Sequence, residues 1–87
     1  LTLTKKYENL YSSVGIHPHE AKLWDDVSKI TIIKYTNEKK VIAIGETGLD
    51  FYYNYSPKDT QVQVFREHIR ISKEVSLPLI IHLLPLD

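Results

Sequence analysis

Cysteine is absent from all 87 residues. Neither a disulfide framework nor a thiolate metal site is therefore open to this chain, and a reducing compartment is allowed but not required; the expected location is cytoplasmic. An excess of charge of either sign is also missing, with 11 basic residues against 11 acidic ones. That balance leaves no electrostatic footprint of the kind a duplex-binding domain carries, so any affinity for nucleic acid has to be argued from a site. Long apolar runs are lacking too: the most hydrophobic stretches are broken by Pro78, His82 and Pro85, and none is long enough to cross a bilayer as a helix. No internal repeat, low-complexity tract or linker is visible. The remaining composition, 43% hydrophobic and 25% charged, is that of an ordinary globular chain rather than a disordered or coiled-coil one.

The richest segment is Ala43-Ile44-Gly45-Glu46-Thr47-Gly48-Leu49-Asp50, in which a short apolar run drives into a carboxylate held between two glycines. Val41 to Ile44 reads as a strand buried on both faces, as in parallel sheets covered by helices. Gly45 and Gly48 are expected to let the backbone turn and bring Glu46 out at the strand's C-terminal end, where α/β folds keep their active sites. The pattern recurs. Leu79-Ile80-Ile81 ends in His82, and the run from Leu10 to Ile16 ends in His17-Pro18-His19. His17 and Glu46 are 29 residues apart and Glu46 and His82 are 36 apart, close to the roughly 31 per unit of an eight-unit (β/α)8 barrel.

Between these strands the sequence predicts helices. Leu1 to Asn9 reads as the tail of one, feeding the first strand. A second starts at Glu20-Ala21-Lys22, with Trp24, Val27 and Ile30 at helical spacing, although the β-branched Thr31-Ile32-Ile33 leaves its interior to be decided by packing. Asn37 to Lys40 forms a polar turn. For the last helix Ser56 is the expected cap, Pro57 the first helical residue and Asp59 a favourable charge near the dipole's positive end. Val62, Phe65 and Ile69, with Val64, Ile71 and Val75, form its apolar face. Alternating helices and strands imply a parallel sheet. At this length the chain cannot close an eight-unit barrel; it begins with Leu1 and stops at Asp87, and the expectation is that it is a piece of something longer.

Val14-Gly15-Ile16-His17-Pro18-His19, then Ala43 through Tyr52, then Leu77-Pro78-Leu79-Ile80-Ile81-His82 closely resemble three successive signatures of the TatD family, metal-dependent deoxyribonucleases of the amidohydrolase superfamily. The motifs stand in the right order and cover almost the whole chain. The resemblance implies an α/β fold, part of a (β/α)8 TIM barrel, with residues 1–87 forming its strand 2 to strand 4 region. It also implies divalent metal ions, two in the full-length protein, and hydrolysis of phosphodiester bonds in DNA, single-stranded or at 3′ ends. Carried over by position, Glu46 matches a metal-binding carboxylate, His82 a metal-binding imidazole, and His17 a histidine near the metals and the scissile phosphate. Glu46 and His17 are thus the catalytic candidates. Carboxylate oxygen and neutral imidazole suit Mg, Mn or Zn, and paired ions can activate water and stabilise a leaving oxygen. A His-x-His pair is expected before Leu1, and a further histidine and aspartate beyond Asp87. The family usually continues after its histidine with a polar residue and arginine, whereas this chain has Leu83-Leu84-Pro85, which puts phosphate contacts from that loop in doubt.

Plainer roles compete at each position. His82 after three apolar residues can be a buried, satisfied imidazole, and Glu46 a strand-end carboxylate bonded to loop amides. His19 beside Pro18 either brace the turn or, with Asp50, meet substrate; Asp50 can also orient a ligand or make an Asx turn. His68 lies in the apolar arc of its helix and is read as packing. Phe51-Tyr52-Tyr53-Asn54-Tyr55 either stack bases of a single strand, with Tyr52 and Tyr53 as contacts, or seal the barrel mouth. A non-catalytic remnant with exposed sheet edges, and a related hydrolase of another phosphoester or an amide, are the alternative functions. The 87-residue chain alone is expected to be inactive.

Overall fold

The computed structural model describes residues 12–53 and 55–84; the helix expected over residues 1–9, and Leu10 and Tyr11 of the first strand, lie outside them. Three strands, β1 (Ser12–Val14), β2 (Val41–Asp50) and β3 (Leu79–Leu84), form one sheet in the order β1-β2-β3, and both pairings are parallel. Parallel neighbours cannot be joined by a hairpin, so each connection crosses over through a helix. These are α1 (Asp26–Tyr35), preceded by a 3₁₀ helix at Pro18–Leu23, and α2 (Lys58–Val75).

The first crossover differs from the single helix expected from Glu20. Trp24 is extended, and Asp25 starts α1 afresh: its Oδ1 accepts from the Val27 and Ser28 backbone N–H groups, while Ser28 Oγ accepts from Asp25 N–H. This reciprocal cap is worth about 1 kcal/mol. The face also differs. Val27 and Ile30 are exposed, and Ile32 is the residue buried against the sheet, with Ile33 half-buried beside it.

In α2 the buried stripe is Gln61, Val64, His68 and Ile71. Val62, Phe65 and Ile69, expected at its centre, are half-buried at the flanks. Ser56 does not cap the helix: Pro57 is the N-cap, with no side-chain bond, and the Ser56 hydroxyl is engaged elsewhere. Ile32, Ile44 and Ile71 make the core, with Val14, Trp24, Val75, Leu77 and Leu79 packed around them. Each buried isoleucine contributes about 1.5 to 3 kcal/mol.

β2 does not end at Gly45. It runs on to Asp50, and the two glycines serve close approach and unusual backbone geometry instead of a turn. Gly45 and Gly48 have φ of 143° and 140°, and a Cβ on them would lie 2.5 Å from the Ile80 carbonyl oxygen and 2.0 Å from that of His82. Between the pairs Ile44 with Leu79 and Thr47 with Ile81, β2 spends one residue more than β3. Such a bulge re-aims side chains, and Glu46 sits in it. The sheet is only partly covered: Ile80 and Ile81 are neighbours and so point to opposite faces, yet both are exposed, as are Ile42 and Leu83.

His68 is fully buried in the core, as its place in the apolar arc suggested. Its Nε2 accepts from the Ile16 N–H at 2.9 Å and its Nδ1–H donates to the Val64 carbonyl at 2.8 Å, so only the neutral ring fits. Burial lowers its pKa below the ordinary 6.5, against the raising effects of the Val64 carbonyl and Glu67. The unfolded chain therefore binds the proton first, and stability is lost as pH falls below the unfolded value. Urea midpoints should drop between about pH 7.5 and about pH 5.5, and His68→Gln should flatten that slope; an unchanged slope would remove His68 as its source.

Candidate metal centre

The three strands deliver their motif residues to one rim. His17 follows β1, where its extended backbone makes it the N-cap of the 3₁₀ helix, with Nδ1 accepting from the His19 N–H at 3.1 Å. One turn on, His19 points back to the same place. His82 comes from β3, paired with Gly48. The ring centroids of His17 lie 4.3 Å from His19 and 4.5 Å from His82.

Asp50, at the end of β2, organises the group. Its Oδ2 lies 2.5 Å from His19 Nε2 and 2.8 Å from His82 Nε2, and its Oδ1 accepts from the Tyr53 N–H at 3.0 Å. The carboxylate thus bonds the backbone of its own turn, three residues on, and two imidazoles at once. Asp50 is fully buried. Burial works to raise its pKa, but the bonds from the Tyr53 N–H, His19 and His82 outweigh it and hold the pKa at about 2. An ionised carboxylate only accepts, so both imidazoles carry hydrogen on Nε2 and, when neutral, present the Nδ1 lone pair.

His17 differs. Its pKa is lowered by burial and by the neighbouring His19 and His82, against Glu46 and Asp50, which favours the neutral ring. With Nδ1 occupied as an acceptor, its proton sits on Nε2, which faces Glu46 Oε1 at 3.8 Å, longer than a hydrogen bond. Glu46 is half exposed at 52%.

One ligand atom from each of His17, His19 and His82 can be chosen so that all lie within 4.8 Å of one another. Two nitrogens sharing one ion at 2.0 to 2.1 Å are at most about 4.2 Å apart; of the three, His19 and His82 keep a lone pair free at Nδ1, and imidazole nitrogen with a carboxylate nearby is donor chemistry that suits a divalent ion. Glu46 stands beside this trio, next to His17. From sequence His19 is expected to brace the turn or to contact substrate, not to join a metal-binding group; the feature that could have raised it is the His17-Pro18-His19 spacing, in which a helical turn returns the second ring beside the first.

Tyr52, Tyr53 and Tyr55 are exposed, and Tyr53 and Tyr55 flank His19. The Tyr53 and Tyr55 rings are stacked, 5.7 Å apart and 4° from parallel, and Tyr55 meets His19 edge-on at 4.7 Å.

Comparison with known proteins agrees with the geometry. The family described as TatD related DNase matches residues 1–84. The chain is 40% identical over 78 residues to the 3'-5' ssDNA/RNA exonuclease TatD of Cronobacter sakazakii, covering 90% of this chain and 30% of that protein. It is 40% identical over 82 residues to the uncharacterized metal-dependent hydrolase YabD of Bacillus subtilis, covering 94% of this chain and 32% of that one. The crystal structure of YJJV, a TatD homologue from Escherichia coli K12, superposes with a TM-score of 0.82 at 30% identity, over 93% of this chain and 32% of the other. The chain spans about a third of the length of these relatives, and its three parallel strands with their crossovers are part of a TIM barrel.

Because the Asp50 pKa is depressed, the stability it contributes is present above the unfolded value near 3.8 and is lost as pH falls through about 2. Asp50→Asn should lower stability at neutral pH and flatten its acid loss between about pH 4 and about pH 2, read from urea midpoints. A variant with the wild-type acid profile would show that the carboxylate is not held ionised.

Proposed function

The chain belongs to the TatD-related DNase family, and from that premise we propose that it is the strand 2 to strand 4 region of a metal-dependent nuclease that hydrolyses phosphodiester bonds of single-stranded DNA from the 3′ end. The observation that carries this reading is the convergence of His17, His19 and His82 at one rim of a parallel sheet, two of them on the ionised Asp50 and the third beside Glu46. The names of the TatD relatives extend the substrate to RNA. A cytoplasmic location goes with the same reading.

Glu46 and His82, joined by His19, hold divalent ions, Mg, Mn or Zn and two of them in the full-length protein; metal in such a site supplies Lewis acidity at the phosphate and an acidified water as nucleophile. Asp50 fixes the His19 and His82 rings by taking their Nε2–H groups, the orienting role carboxylates play behind metal-bound histidines. His17 accepts a backbone N–H on Nδ1, whereas a ligating histidine normally donates from its second nitrogen. It is better suited to donate a hydrogen bond from Nε2–H, beside Glu46, to a phosphate or leaving oxygen while the ring stays neutral. Tyr52 and Tyr53 offer exposed rings on which bases of the strand can stack, without the net positive charge this chain lacks.

The uncovered Ile42, Ile80, Ile81 and Leu83 favour a second reading of the 87 residues by themselves, as an inactive remnant whose sheet needs a covering. The two are separated by comparing this chain with a polypeptide of its relatives' full length. The long form should digest single-stranded DNA with added Mn²⁺, and Glu46→Ala should reduce kcat by at least ~10²-fold, while the 87-residue chain stays inactive. Digestion that persists without divalent metal, or in Glu46→Ala, would overturn the assignment. In the long form Tyr53→Ala should weaken single-strand binding by roughly 1 to 3 kcal/mol; unchanged affinity would return Tyr53 to a packing role.

A further inference from the structure

Nothing so far accounts for Gln61, a carboxamide with no exposed surface in the first turns of α2. Its Oε1 accepts from the Asp50 N–H at 2.7 Å, and its Nε2 donates to the carbonyl oxygens of Asp50 at 3.2 Å and Ser56 at 2.8 Å. The partners fix which way the amide faces, since one is a donor and two are acceptors, and both amide hydrogens are used. Ser56, also fully buried, continues the chain: its hydroxyl donates to the His19 carbonyl at 2.8 Å and accepts from the Lys22 N–H at 3.1 Å.

We infer that Gln61 is a positioning residue for the histidine cluster. It clamps the backbone of Asp50 from both sides, so the carboxylate that meets His19 and His82 cannot shift along β2. Through Ser56 it also ties the loop after β2 to the 3₁₀ helix that carries His19. One side chain thereby sets the position of both imidazoles, one through Asp50 and the other through Asp50 and Ser56 together. A hydrophobic residue would fill the same volume, but it would take away the bonds now made to the Asp50 N–H and to the Asp50 and Ser56 carbonyls, and a buried polar group that loses its partner is costly. Helix α2, which contributes no residue to the rim, thus governs the geometry there. The consequence for metal affinity rests on the metal-holding role proposed above; the positioning itself does not.

The test uses the metal-free 87-residue chain and reads the ring ¹⁵N shifts and Nε2–H exchange of His19 and His82 by NMR. Gln61→Met, of similar volume but unable to hold the amide bonds, should shift and deprotect both rings. Ser56→Ala should move His19 and leave His82 in place. Ile71→Val, which weakens the core without touching the network, should move neither. A folded Gln61→Met with the ring signals of wild type overturns the inference, and if that variant does not fold, an unmoved His19 in Ser56→Ala does so. In parallel, Co²⁺ titration of wild type should show binding, weakened about 10- to 100-fold in Gln61→Met. Wild type that takes up no Co²⁺ would remove the metal role from these imidazoles in this chain, while the ring signals still decide whether Gln61 positions them.

Discussion

A buried negative charge at the end of β2 is the constraint on which the arrangement depends. Asp50 has no exposed surface, and an ionised carboxylate taken out of water is costly unless its oxygens are met by donors. Here they are met by a backbone N–H and two imidazole N–H groups. Histidines arriving from two separate chain segments are drawn to one oxygen because that oxygen is charged, and their tautomers follow from it. The same requirement explains why polar residues are tolerated in the interior nearby: Gln61 and Ser56 satisfy the backbone around the charge, and a half-satisfied network would be worse than none.

Strand geometry supplies the second constraint. The site needs β2 and β3 close enough that His82 and Asp50 meet, and the glycines at 45 and 48 allow it, because any side chain there would run into the β3 backbone. The extra residue in β2 between Ile44 and Thr47 then turns Glu46 outward toward His17 without ending the strand. Catalytic candidates at the C-terminal ends of parallel strands, on a scaffold held by an isoleucine core beneath, is the division of labour by which TIM barrels separate chemistry from stability.

That barrel context also accounts for the least protein-like feature of the chain, the exposure of Ile80 and Ile81 on opposite faces of one strand. In a closed barrel one face of each strand fills the interior and the other meets a helix. Three units leave both incomplete at β3, and exposed apolar edge strands seek a partner. The exposure is what the fold predicts for about a third of such a domain.

Where the strands begin and their parallel order were legible from sequence, because apolar runs leading into Glu46 or His82 have a short-range signature in one dimension; where they end was not, since β2 continues to Asp50 and β3 to Leu84. The buried face of α1 was not: Trp24, Val27 and Ile30 have the spacing of a core stripe, but the Asp25 cap restarts the helix and rotates Ile32 inward. The Asp25 and Ser28 pair was the local signal for it. Ser56 had the chemistry of a helix cap and is used instead across the fold, a choice no local pattern reveals. What the sequence determined alone was the alternation of strands and helices, which follows from periodicity, and the candidate residues that its motifs bring to the strands. Only the tertiary structure decided that Asp50 holds two of the histidines, that His17 faces Glu46 and that Gln61 lies behind them, because hydrogen bonds spanning 31 and 32 residues depend on how strands register and helices cross, and neighbouring letters do not encode that.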